Sequence, residues 1–189
     1  MKVEERHNLV VTLLQLGGAA ARNGIENLIA VMPSMLPEVA ALRGVTQGAD
    51  YHPEGDAFEH TMRVITHLQP MADLRLVLAA LLHDIGKAHT RQERADGRIV
   101  FPGHARVGAA MSQLVLARFG LQGYAGDVYS LIDQHMKFFD APKMRASRLA
   151  RFVAQPLFPL LLELHRVDKM GGSGNLEYFE FCRNASASH

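Results

Sequence analysis

"ALLHDIGKAHT", residues 80–90, closes an apolar run with a histidine and a carboxylate and places a lysine three residues after the carboxylate. From Leu74 to Ile85 the apolar side chains lie all round a helix, the pattern of a central buried helix rather than a surface one. Asp73 stands before it as an N-cap and Gly86 after it as a stop. A carboxylate at the buried end of such a helix, Asp84, is costly unless something neutralises it. Whether that partner is a metal ion, a salt bridge or water decides what the chain does.

Outward from this helix the punctuation is regular. Helical segments at 3–16, 25–32 and 36–42 stop at Gly17-Gly18, Pro33 and Gly44. Asp56 reads as an N-cap with Glu59 three residues on, a capping-box variant that puts His60 in the first turn of a helix ending near Pro70. "TRQERADGRIVF" (90–101) breaks the helical pattern, and Asp96-Gly97 marks a small β-hairpin. Further helices are expected from Pro102-Gly103 to Phe119, over 126–139, over 143–153 and over 159–170, the last stopped by Gly171-Gly172. The expectation is an all-α bundle of about eight or nine helices with one small hairpin. A single domain is expected over 1–175, with the N-terminal helices (1–45) packed on a core at 51–172, and residues 176–189 as a tail without structure in "NASASH". "GGSGN" (171–175) lacks a preceding strand and a Lys-Ser/Thr pair, so it reads as a connector and not a phosphate loop.

Composition narrows the class. Of 189 residues, 48% are hydrophobic and 21% charged, and the net charge is +1. No strong overall field points to nucleic acid or to an anionic membrane, so RNA is not indicated by charge. The one cysteine, Cys182, excludes an internal disulfide and suits a reducing cytoplasm. "MKVEERHNLV" lacks the apolar core of a signal peptide, and no apolar stretch is long enough to span a bilayer. A cytoplasmic protein with no membrane partner is expected, its oligomeric state left open.

Ten histidines are many for this length, and several adjoin acids. His60, His83, Asp84, His104, His135 and Asp168 fall in or at the ends of five separate helical segments, about one helix and a loop apart. Antiparallel helices that each turn one group inward produce this spacing. Imidazole and carboxylate together suit Mn, Fe, Co, Ni or Zn. Four histidines and two acids suit two ions, with Asp84 as the bridge. The alternative for Asp84 is an ordinary ion pair with Lys87 at i+3. Spacing alone leaves His135 and His165 as equal candidates.

The ordered set His60…His83-Asp84…Asp168, with "HDIGK" at 83–87, resembles the HD-domain superfamily of metal-dependent phosphohydrolases, and His104 and His135 match its binuclear form. "LPEVAALRGVTQGADYHPEGDAFEHTMRVI" (36–65), "LLHDIGKAHTR" (81–91), "DGRIVFPGHARVGA" (96–109) and "DQHMKFF" (133–139) resemble the HD region of bacterial tRNA nucleotidyltransferases and poly(A) polymerase relatives. The resemblance runs over about residues 25–175. It implies one metal on His60, His83, Asp84 and Asp168 and a second on Asp84, His104 and His135, with Lys87 near the incoming phosphate. The polymerase signature, Gly-Ser with paired aspartates, is missing from the first 50 residues. A stand-alone HD domain that does not polymerise nucleotides is therefore expected.

The expected reaction is hydrolysis of a phosphomonoester or phosphodiester, of a nucleotide or related small compound, by water or hydroxide activated on the metals. Asp84 and Lys87 carry the catalysis, and His52, Arg91 and Arg106 are further candidates for substrate contact. Two other readings compete: a non-catalytic RNA- or partner-binding module, and a di-iron oxygenase of HD type.

Overall fold

The computed structural model describes residues 1–48 and 55–187. The chain runs α1 (Val3–Gln15), α2 (Gly18–Val31), α3 (Pro37–Ala40), α4 (Ala57–Thr66), α5 (Leu74–Leu82), α6 (Lys87–Thr90), β1 (Gln92–Glu93), β2 (Ile99–Val100), α7 (His104–Arg118), α8 (Ala125–Gln134), α9 (Ala146–Val153), α10 (Phe158–Gly171) and α11 (Glu177–Ala187). Short 3-10 turns cover Pro33–Met35 and Gln122–Tyr124, and a longer 3-10 segment covers His135–Lys143. The fold is an all-α bundle with one small hairpin. No described helix is long and apolar enough to cross a membrane.

α5 is the axis of the bundle. Leu76, Val77, Leu78, Ala79, Ala80, Leu81 and Leu82 are all buried, on every side of the helix. It is surrounded by α1, α4, α7, α8 and α10. Asp73 caps it by accepting the Arg75 N–H at 2.9 Å. Asp56 caps α4 in the same way, accepting the Glu59 N–H at 2.8 Å. The other oxygen of Asp56 accepts the Gly44 N–H at 2.8 Å, and Gln47 donates its backbone N–H to Gly55 O at 3.2 Å. These bonds tie Gly44 and Gln47 to Asp56 and Gly55; the candidate His52 lies outside the described residues.

Three local features differ from the sequence reading. Gly86 does not end α5 with a left-handed cap; its φ of −67° and ψ of −19° are helical. The chain tightens after Leu82 through i→i−3 bonds, Ile85 N–H to Leu82 O at 3.3 Å and Lys87 N–H to Asp84 O at 2.8 Å. Glycine stands at 86 because α7 crosses there. A Cβ would lie 2.2 Å from His104 O and 2.7 Å from Gly108 N. The helix expected over 126–139 divides into α8 and the 3-10 segment, which contains Pro142. The hairpin pairs Gln92 with Val100 and Glu93 with Ile99, so its first strand precedes Arg94.

The tail expected over 176–189 is helical over Glu177–Ala187. Tyr178, Cys182 and Ala185, spaced as one helix face, pack on the core, and Cys182 is fully buried. Its polar remainder concealed that face.

Gly86→Ala is expected to lower stability by about 2–4 kcal/mol in urea denaturation, because the obstacle is backbone and cannot rotate away. Gly123→Ala, at a glycine with no neighbour within 4 Å of the added carbon, is expected to change stability by less than about 0.5 kcal/mol. Equal effects of the two substitutions contradict the close-crossing argument.

Candidate metal centre

Five helical elements bring six side chains to one buried place. His83 and His135 are the C-cap residues of α5 and α8. His104 opens α7, His60 sits in α4, and Asp168 sits near the end of α10. Asp84 follows His83 on the tightened turn. All six are between 0% and 6% exposed. At that depth an uncompensated charge or lone pair is expensive.

Three of the histidines are oriented by one device. The Nδ1–H of His83 donates to Ala80 O at 2.9 Å, that of His104 to Phe101 O at 2.9 Å, and that of His135 to Ile132 O at 2.7 Å. Each carbonyl belongs to the residue three positions earlier. A carbonyl can only accept, so Nδ1 carries the proton and Nε2 is left as the group facing inward.

Asp84 faces two ways. Its Oδ2 lies 3.2 Å from His83 Nε2 and 3.8 Å from His60 Nε2, while its Oδ1 lies 3.5 Å from His104 Nε2. Asp168 Oδ1 is 2.9 Å from His60 Nε2 and 3.8 Å from His83 Nε2. Two groups result, His60, His83 and Asp168, and Asp84, His104 and His135. Each has its candidate ligand atoms within 4.8 Å of one another.

The protonation pattern suits cation ligation. Burial pushes the His135 imidazolium down to about 3 and also lowers His104, so both rings are neutral near pH 7. Yet their Nε2 atoms face each other at 3.3 Å. Two neutral rings whose Nδ1 atoms hold the protons present lone pair to lone pair, and a cation between them turns that repulsion into attraction. Burial alone would raise the Asp84 carboxyl, but His83 and Lys87 outweigh it and hold it well below the usual range. Asp168 is likewise held well below that range by Lys169 and His60 against the cost of burial. His83 Nε2 and Asp84 Oδ2 are buried without a hydrogen-bond partner. Lys87 Nζ comes within 2.8 Å of Asp84 Oδ2, close in distance without hydrogen-bond alignment. Neutral His104 and His135, ionised Asp84 and Asp168, and the unpartnered His83 Nε2 and Asp84 Oδ2 fit divalent ions of the first transition row.

Above the two groups opens a cleft of about 380 Å³. Asp84, His104, His135 and Asp168 line it together with the cations Lys87 and Lys169 and the apolar side chains of Phe101, Met136 and Phe139. Lys87 is 5% exposed. Its ammonium donates to Gln47 Oε1 at 2.5 Å and lies 5.4 Å from the Phe101 ring centre.

Other candidates lie elsewhere. Arg91 and Arg106 do not line the cleft. Arg91 leaves α6 with extended backbone and turns toward Glu93 at 3.7 Å. Arg106 is two residues past His104, about 200° away around the helix, and is exposed. His165 stays out of both groups; its ring stacks on Phe138 with centres 4.1 Å apart and planes 5° apart. Gln47, Phe101, Phe139 and Lys169 are not singled out by the sequence, although Gln47, Phe101 and Phe139 lie in the family-like stretches 36–65, 96–109 and 133–139 and Lys169 follows a candidate ligand.

The HD domain family matches residues 57–168, the span from α4 to the Asp168 turn of α10. The chain is similar to the A-adding tRNA nucleotidyltransferase of Deinococcus radiodurans, 36% identical over 163 residues, which are 82% of this chain and 36% of that protein. It is similar to the CC-adding tRNA nucleotidyltransferase of Thermus thermophilus, 38% identical over 147 residues, 74% of this chain and 32% of that protein. A shorter stretch of 60 residues is 57% identical to the multifunctional CCA protein of Neisseria gonorrhoeae. The chain spans about a third of the length of the first two relatives.

Calorimetric titration of chelator-treated protein with Mn²⁺ is expected to show two binding events, each adding about 2.7 kcal/mol to stability at a hundred times its Kd. Asp84→Ala should remove both events and His135→Ala only one; an unchanged titration in Asp84→Ala contradicts the assignment.

His165 gives a pH test. Burial pushes it down to about 4 from 6.5. The unfolded chain takes up that proton below about 6.5 and the fold refuses it until about 4, so stability is complete above the window and falls by about 3 kcal/mol through it. His165→Phe is expected to flatten the urea-stability profile between those pH values; an equally steep profile excludes His165 as a source.

Proposed function

Because the chain belongs to the HD domain family, we propose that it is a metal-dependent phosphohydrolase that cleaves a phosphomonoester or phosphodiester of a nucleotide or related compound. The observation that carries this reading is the pairing of two His/Asp groups with a buried lysine at one cleft. His60, His83 and Asp168 would hold one ion and Asp84, His104 and His135 the other, with Asp84 able to turn an oxygen to each. Divalent ions there supply Lewis acidity, drawing charge from phosphoryl oxygens and making water acidic enough to attack at neutral pH.

The chain's own groups do the rest. Lys87 places an ammonium beside Asp84 where water is scarce, so its attraction for a phosphoryl oxygen is strong. Gln47 holds that ammonium from behind, which keeps it at the cleft when Asp84 turns to a cation. Lys169, 3.1 Å from Asp168 Oδ2, is the second cation at the mouth. Phe101, Met136 and Phe139 exclude water and give a flat base an apolar surface to lie on. No side-chain nucleophile is required. Cys182 is buried, its thiol pushed up to about 11 by that burial, and does not line the cleft.

The test is a protein purified without oxygen, its metals quantified, and assayed on nucleotides and on mono- and diesters. Phosphate release that chelation abolishes is expected. Lys87→Met should lower kcat/KM by about 10²–10³ at unchanged metal content. Full activity in Asp84→Ala with both metals retained would falsify the reading.

A further inference from the structure

We propose that a second cleft, between the 3-10 segment His135–Lys143 and α9, binds the phosphodiester backbone of a single-stranded nucleic acid. This cleft has a volume of about 220 Å³ and lies on a different face of the 3-10 segment from the metal cleft. Lys137, Arg148 and Arg151 line it together with the amides of Gln134 and Gln155, over Phe152, and no lining residue is a carboxylate. Gln134 Oε1 accepts from Lys137 Nζ at 3.1 Å and so directs that ammonium.

Three features separate this surface from an ordinary solvated face. The first is charge. Residues 134–155 hold five cations, Lys137, Lys143, Arg145, Arg148 and Arg151, and one carboxylate, Asp140, in a chain whose net charge is only +1. The second is pairing. Arg22, Arg75, Arg118 and Arg166 each hold a carboxylate. Among the described residues, none of the five cations of 134–155 does. The third is layout. Arg148 and Arg151 stand one turn apart on the outer side of α9, with Cβ atoms about 5–6 Å apart. Lys137 faces them across the cleft, and Lys143 and Arg145 lie on the chain that joins the two walls.

The layout selects the ligand. A lone phosphate needs one cluster of donors, whereas five cations are spread over the 3-10 segment, its connection and α9, which suits successive phosphates of a strand. The apolar side of α9, Phe152 and Val153, is buried in the core, so α9 has no apolar face with which to enter a lipid surface. Gln134 and Gln155 add amides that can donate to phosphate or to base edges. The binding is read without turnover, so the hydrolase reading can fail while this one stands.

The test uses the full chain and a fluorescently labelled oligo(U) of about twelve nucleotides, with anisotropy followed from about 50 to about 200 mM salt. Each single-strand phosphate contact contributes about 0.7 to the slope of log affinity against log salt. Arg148→Gln/Arg151→Gln is therefore expected to flatten the slope by about 1.4 and to weaken binding about tenfold at the lowest salt. Lys2→Gln/Arg6→Gln removes the same net charge at the N-terminal end of α1, where neither residue lines the cleft, and is expected to leave the slope as it is. An unchanged slope in the α9 variant, or equal losses in both variants, overturns the site. Oligoglutamate of equal charge competing as well as unlabelled oligo(U) overturns the nucleic-acid assignment.

Discussion

One negative charge at the inner end of a greasy helix constrains everything around it. The residues before Asp84, Leu76 to Leu82, are all buried and supply no polar group but backbone. Lys87 at 2.8 Å would by itself make an ordinary buried ion pair. The chain does much more than that. It adds a second buried carboxylate, Asp168, and turns four imidazoles toward the pair. Two neighbouring carboxylates repel, and neutral rings facing each other through lone pairs repel as well. Lys87 and Lys169 pair with the two carboxylates but leave the facing Nε2 atoms of His104 and His135 uncompensated, which a cation among these groups would relieve.

Helix ends make the arrangement inexpensive. The last four carbonyls of an α-helix have no intrahelical partner. Ala80 O and Ile132 O belong to the final turns of α5 and α8; the first accepts from the His83 imidazole, and the second accepts from the His135 imidazole beside the His135 backbone N–H. The same bond at each helix end fixes the ring's tautomer and points its other nitrogen inward. Positioning the ligands and ending the helices are thus one interaction counted twice. Gly86 and Gly108 allow the third participating helix, α7, to cross at backbone contact, which brings His104 up to Asp84.

What could be read from the sequence follows from how local each cause is. The caps at Asp56 and Asp73, the buried character of α5 and the Asp96-Gly97 hairpin depend on neighbours a few residues away, and all were legible. The six candidates, His60, His83, Asp84, His104, His135 and Asp168, could be picked out by their spacing of about one helix and a loop, and they come together in one buried place. Gly86 looked like a helix stop because the reason for it, the backbone of α7, lies about twenty residues further along the chain. Gln47 gave no sign, since nothing near it in sequence foretells the buried ammonium that it holds. The choice between His135 and His165 turned on which side of its helix each ring occupies. His165 lies flat on Phe138, a contact between two elements that spacing does not encode.

The 3-10 segment after His135 shows how a change of helical period can sort function. With three residues per turn, positions three apart eclipse and the segment acquires three distinct faces. His135, Phe138 and Ala141 form one, and all three are buried. Met136 and Phe139 form another, which walls the metal cleft. Gln134 and Lys137 form the third, which walls the basic cleft. At 3.6 residues per turn these rows would drift, and by Ala141 the inward row would have turned about 120° per six residues away from the core. Pro142, which cannot supply an N–H to a continuing α-helix, stands where the segment ends. A wall one helix thick can then present the apolar side chains of Met136 and Phe139 to one cavity and a cation to the other, with the candidate ligand His135 held in the core between them.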